Sequence, residues 1–205
     1  MEKLSFLVLI TSMSIFFFSC KEKTNDTSVT NTETTKEESK KDNNFNKTLS
    51  LGKYSYKINA TNSGSLNKLH IQPAGFVGNQ IDTVEIDGIV TKAEIADLNG
   101  DGFPEILVYT TTIESGSYGN VICYSSNNGK NFSQVTFTNP ADSPRLSKGY
   151  MGHDEYSVVE GNLSHRFPIY KDSDTNASPT GKTKQVLYNL VASENSIVFV
   201  IKNIS

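Results

Sequence analysis

From Lys53 onward, short runs rich in Val, Ile, Thr, Tyr and Phe recur at intervals of roughly ten residues, separated by Gly, Asn, Asp and Pro. The spacing predicts strands over 54–59, 68–72, 83–87, 89–96, 105–113, 120–125, 132–138, 157–159, 164–170, 184–191 and 196–203. Such a series implies an all-β fold, an antiparallel sandwich or flattened barrel of roughly eight or more strands. Asn127-Asn128-Gly129-Lys130 reads as a tight hairpin turn and Gly161-Asn162 as another. Ile197, Phe199 and Ile201 alternate with Val198 and Val200, so the last run is apolar on both faces and is expected to be a central strand. The acidic motif at 97–102 is not repeated, which excludes a propeller or solenoid.

The stretch from Asp97 to Tyr124 organises this series: an acidic turn, a strand, a short loop Ser115-Gly116-Ser117-Tyr118, and a return strand. It is a predicted β-hairpin with a polar, glycine-bearing tip. Loop residues held between two strands are fixed by a rigid scaffold yet face solvent, which makes this tip the expected working part.

The front of the chain is of a different kind. Residues 1–19 carry Lys3 and then an apolar run from Phe6 to Phe18, too short to span a bilayer, and read as a signal peptide. The run stops at Phe18-Ser19-Cys20, which resembles the lipobox of bacterial lipoproteins, so Cys20 is the expected lipidation site and membrane anchor. Residues 20–46 read as the acylated Cys followed by a disordered tether, because Val29 and Phe45 are their only large apolar side chains beyond it. About 25 such residues have a root-mean-square reach of roughly 25–30 Å. Residues 47–205 form the expected β-domain. Lys21 follows the Cys where Asp would resemble an inner-membrane retention signal, so an outer-membrane location is expected, facing the periplasm or the cell surface. A formal charge of −3 with no concentrated basic face excludes nucleic acid as a partner. With Cys20 acylated, only Cys123 remains as a thiol; its place in Val121-Ile122-Cys123-Tyr124 predicts a buried, inert side chain.

Asp97, Asn99 and Asp101, followed by Gly102, resemble the first half of an EF-hand loop, where alternate oxygens surround a hard cation. The twelfth position is Val108, so Glu105 would have to complete a Ca2+ site; otherwise Asn99-Gly100 and Asp101-Gly102 are Asx turns between strands. His70, His153 and His165 share no metal-ligand spacing. Ser115, His153 and Asp154 are the residue types of a hydrolase triad but lack a nucleophile elbow, so the chain does not read as an enzyme.

Taken together, the tip and the motifs A-D-L-N-G-D-G-F-P-E (96–105), G-Y-M-G-H-D-E-Y (149–156), R-F-P-I-Y (166–170) and D-T-N-A-S-P-T-G (174–181) resemble the periplasmic inhibitors of invertebrate-type lysozyme. The resemblance covers about residues 95–190, with the motifs in order. It implies an antiparallel β fold and a Ser-Gly-x-Tyr loop that enters the lysozyme cleft, a motif that falls here on Ser115, Gly116 and Tyr118. The familiar inhibitors are free in the periplasm, whereas this chain carries a lipobox and a tether. The implied partner is lysozyme, with the membrane engaged through the lipid and a homodimer as a further possibility. The alternative is a surface lipoprotein β-domain that binds glycan or a host protein without inhibiting an enzyme.

Overall fold

The computed structural model describes residues 43–113, 116–192 and 196–205; Cys20 and Ser115 lie outside the described residues. Residues 41–205 group as one compact unit. Its strands are β1 (Phe45–Leu51), β2 (Tyr54–Ala60), β3 (Leu66–Ala74), β4 (Val84–Asp87), β5 (Ile89–Ala96) and β6 (Glu105–Thr111), then β7 (Gly119–Asn127), β8 (Asn131–Gln134), β9 (Glu155–Val159), β10 (Asn162–Pro168), β11 (Thr183–Ala192) and β12 (Ile197–Ile204). They form three antiparallel four-stranded sheets in the orders β1-β2-β3-β4, β5-β6-β7-β8 and β12-β11-β10-β9.

The middle sheet is buried on both sides, and the two-residue alternation of β6 shows how. Ile106 and Val108 pack with Ile122 and Tyr124 against Tyr56, Ile58 and Leu69 of the first sheet. Leu107 and Tyr109 pack with Val121 and Cys123 against Leu163, Phe167, Val186 and Tyr188 of the third. The register pairs Ile106 with Tyr124 and Leu107 with Cys123, so both faces of the β6–β7 hairpin carry apolar pairs. Burial pushes the Cys123 thiol well above its usual range, as an inert core thiol requires.

Polar clasps join the layers at their edges. The Tyr56 hydroxyl donates to the Pro104 carbonyl at 2.8 Å. Asn62 mimics a strand partner for Val90, donating to its carbonyl and accepting its N–H, both at 2.9 Å, beside the bulge in β5. Thr136 continues β8 into a parallel bridge with Val198.

Two expectations change. The strand over 196–203 is the edge strand β12, with Val200 46% exposed. An apolar run on both faces does not by itself place a strand in the centre; in this fold that position belongs to β6 and β7. A strand also begins at Phe45, inside the stretch read as tether: β1 pairs with β2 from Phe45↔Ala60 to Leu51↔Tyr54. Its sparse apolar residues, Phe45 and Leu49, suffice because β2 supplies the rest of the hydrophobic face. The first predicted turn is present, and the second lies one residue earlier than Gly161-Asn162, because Asn162 already pairs with Val159 in β10. Asn128 and Gly129 both have positive φ, with the Lys130 N–H donating to the Asn127 carbonyl, and the second turn centres on Glu160 and Gly161.

Candidate functional site: the tip between β6 and β7

The strands of the hairpin end at Thr111 and Gly119, and the loop between them is closed at its base from both sides. The Thr112 N–H donates to the Tyr118 carbonyl at 2.9 Å, and the Tyr118 N–H donates to Thr112 Oγ1 at 3.1 Å. Gly116 is buried, whereas Ser117 is exposed with φ of 44° and Tyr118 is 39% exposed. Ile113 and Met151, at 57% and 37%, add apolar surface from the loop and its neighbour.

That neighbour is the segment 149–154. The His153 N–H donates to the Gly116 carbonyl at 2.7 Å. Gly152, at φ of 83°, lies so close that a Cβ there would meet the Gly116 oxygen at 2.2 Å. The Tyr118 ring stands edge-on to Tyr150, centroids 5.8 Å apart, and Tyr150 meets Phe167 at 5.0 Å. Behind this segment, His153 Nε2 and the Tyr170 hydroxyl both approach the Asn176 carbonyl, at 3.2 and 2.8 Å. Asp174 ties down the start and end of its own loop. The backbone N–H groups of Lys171 and Thr180 hold its carboxyl below the usual range.

Beneath the tip lies a buried polar knot. The Asp154 carboxylate accepts from the Gly119 N–H and the Tyr150 hydroxyl, each at 2.7 Å, and meets His165 Nε2 at 2.5 Å. The Asp154 and His165 side chains are both fully buried. Burial, and then the bond to Asp154, push the Tyr150 hydroxyl far up, so it stays protonated and donates. His165 stacks on Tyr156 with ring centroids 4.3 Å apart. Its Nδ1 and the hydroxyls of Tyr156 and Tyr188 have no hydrogen-bond partner among the described residues. Each such buried orphan costs about 1–3 kcal/mol.

The segments 149–156, 166–170 and 174–181 therefore converge on the tip. The acidic turn 97–102 does not. It enters the opposite end of β6, roughly 20 Å away along the strand. There Asp97 accepts the N–H groups of Gly100, Asp101 and Gly102, and Asp101 accepts that of Phe103. These are Asx-type turns. Glu105 points inward, fully buried, accepting from the Leu98 N–H at 2.7 Å and the Ser125 hydroxyl at 2.8 Å. Among the described residues no three His, Cys, Asp or Glu side chains converge as a metal-ligand group. Among the described members of the triad types, His153 turns to Asn176 and Asp154 to His165 rather than to each other.

No family model matches this chain, and no curated protein or solved structure matches it. The site rests on its own geometry.

The roles of Asp154, Tyr150 and Met151 were not marked by any spacing in the sequence. Asp154 stands beside His153 in an ordinary polar run, and only the fold shows that one side chain faces Asn176 and the other the core. On its other side Tyr118 borders a cleft of about 510 Å³ that Glu85, Asp87 and Asp142 also line.

Proposed function

We propose that this chain is a proteinaceous inhibitor of lysozyme, of the invertebrate type, that places the Ser115-Gly116-Ser117-Tyr118 loop in the enzyme's active-site cleft. The observation that carries this reading is a tip with Ser117 and Tyr118 outward, braced from behind by the segments on which the family resemblance rests. A lysozyme cleft presents an acidic pair around a sugar site, so hydroxyl donors from Ser115 and Tyr118 suit the carboxylates and the Tyr118 ring suits the apolar sugar-binding surface. Ile113 and Met151 extend that apolar contact. The carboxylates of Glu85, Asp87 and Asp142 beside Tyr118 favour a partner whose cleft rim is basic. Residues 116–118, held by Thr112 and His153 before binding, lose little entropy on binding, which lets a small surface give high affinity.

The same reading makes the protein a lipoprotein, anchored through Cys20 to the outer membrane. Because the lipid is its membrane attachment, Cys20→Ala is expected to move the protein from the membrane fraction to the soluble fraction. Recovery of Cys20→Ala in membranes at the wild-type level contradicts the anchor.

The deciding experiment is a turbidity assay of peptidoglycan lysis, with the purified chain added to invertebrate-type and chicken-type lysozymes. Inhibition of the invertebrate-type enzyme is expected. Full lysis in both at saturating protein contradicts the reading and favours the glycan- or host-protein-binding alternative.

A further inference from the structure

We propose that Asp154, held by His165, is the residue that positions Tyr118 in the tip, so that the buried pair sets binding strength without touching the partner. The inference rests on the tip being the working surface, and it starts from the hydrogen-bonding of β7.

In a strand, successive N–H and C=O groups point to opposite edges. Tyr118 directs both of its groups at Thr112, on the β6 side. Gly119 therefore directs its N–H to the other edge, the side on which the Cys123 carbonyl receives the Val135 N–H. On that edge β8 pairs only with Tyr124–Asn127, so it stops short of Gly119. Gly119 is buried, and its N–H needs an acceptor that the sheet does not supply. Asp154 supplies it at 2.7 Å. The fit is close enough that a Cβ on Gly119 would lie 2.7 Å from the Asp154 Cβ and 2.9 Å from the Tyr156 ring.

The donor that Asp154 captures belongs to the peptide joining Tyr118 to Gly119, so the carboxylate fixes the plane from which the Tyr118 side chain projects. A second route runs through Tyr150, whose hydroxyl donates to the same carboxylate oxygen and whose ring meets Tyr118 edge-on. His165 holds the other oxygen, and its ring is itself held by Tyr156 and Phe167, with centroids at 4.3 and 4.6 Å. A core built for packing alone has no use for a fully buried carboxylate and imidazole. Their placement behind one exposed side chain is what a pre-organising device requires.

The test compares Asp154→Ala, Asp154→Asn and Tyr150→Phe with Leu69→Ala, a cavity variant in the other core, between the first and middle sheets, to which neither Tyr150 nor His165 belongs. Two measurements are made on each purified variant: amide hydrogen exchange in the free protein, and inhibition of peptidoglycan lysis. In Asp154→Ala, exchange at Tyr118 and Gly119 is expected to accelerate at least about tenfold more than in β6 and β10, with a matching loss of inhibition. Asp154→Asn, which keeps an acceptor oxygen for the Gly119 N–H, restores most of both. Leu69→Ala lowers the melting temperature without a selective change at the tip. If Asp154→Ala does not fold, Tyr150→Phe removes one of the bonds while keeping the ring, and is expected to show the same selectivity at smaller size.

Uniform acceleration across all strands in the Asp154 and Tyr150 variants overturns the proposal. So does inhibition that tracks melting temperature equally in Leu69→Ala. The exchange comparison needs no lysozyme. A wild-type protein that fails to inhibit therefore contradicts the proposed function, while tip exchange still decides the positioning role.

Discussion

Glu105 shows how one residue's chemistry is decided by which way a strand turns it. Alternation along β6 sends it to the same side as Leu107, into the core, where it is fully buried against the Leu98 N–H and the Ser125 hydroxyl. Burial outweighs those two bonds and pushes its carboxyl up from 4.5 to about 7. The folded state thus holds the proton more tightly than the unfolded chain does. The stabilisation is fully present below about pH 4.5 and is lost as the pH rises through about 7. The loss is on the order of 3 kcal/mol. Urea unfolding at pH 5 and pH 8 should show the wild type weakening over this window, and Glu105→Gln, isosteric and uncharged, should weaken much less. Parallel curves for the two proteins contradict the account. The calcium proposal for Asp97, Asn99, Asp101 and Glu105 has an equally direct test. A Ca2+ site on these residues would require millimolar calcium to raise the melting temperature by mass action and Asp101→Ala to abolish the rise. Identical melting in calcium and in chelator reduces the stretch to the Asx turns that the hydrogen bonds describe.

Among the elements, β6 and β7 give the fold its layering, because adjacent residues of one strand serve different cores. Ile106 and Leu107 are both fully buried, the first facing the β1–β4 sheet and the second the β9–β12 sheet. In a two-layer sandwich one of two neighbours faces solvent and tolerates truncation; here Ile106→Ala and Leu107→Ala should each cost about 2–5 kcal/mol. Chemical denaturation measures both, and a cost below about 1 kcal/mol for either contradicts burial on both faces. The strand series, the hairpin and the Asn128-Gly129 turn were legible in the sequence because period-two patterning and turn chemistry are local. Sheet order was not, since Ile197–Ile201 carries the same two-faced apolar signal as Ile106–Tyr109 and only the long-range pairing decides which strand lies at an edge. β1 escaped notice for a related reason: its Phe45 and Leu49 complete a face that β2 begins. At the candidate site the outward tip was legible from the loop between two strands. Asp154 and His165 were not, because eleven residues of sequence separate side chains that meet at 2.5 Å.

For the whole molecule, the three sheets form a scaffold that carries the acidic turn at one end of β6 and the tip at the other. The bracing segments 149–154 and 171–181 lie at the tip end, so the architecture concentrates order behind a few exposed side chains. The central claim is that these side chains contribute far more to binding than to folding. Tyr118 is 39% exposed and its ring meets Tyr150, so Ser115→Ala combined with Tyr118→Ala should cost about 1–2 kcal/mol and leave the protein folded. As anchors in a cleft, each should be worth about 2 kcal/mol or more in binding. The most direct measurement is therefore the inhibition constant of the folded double variant against invertebrate-type lysozyme, beside its melting curve. The account predicts a cooperative melting curve lowered by only a few degrees and inhibition weakened at least about a hundredfold; a folded double variant that inhibits at wild-type concentrations would contradict it.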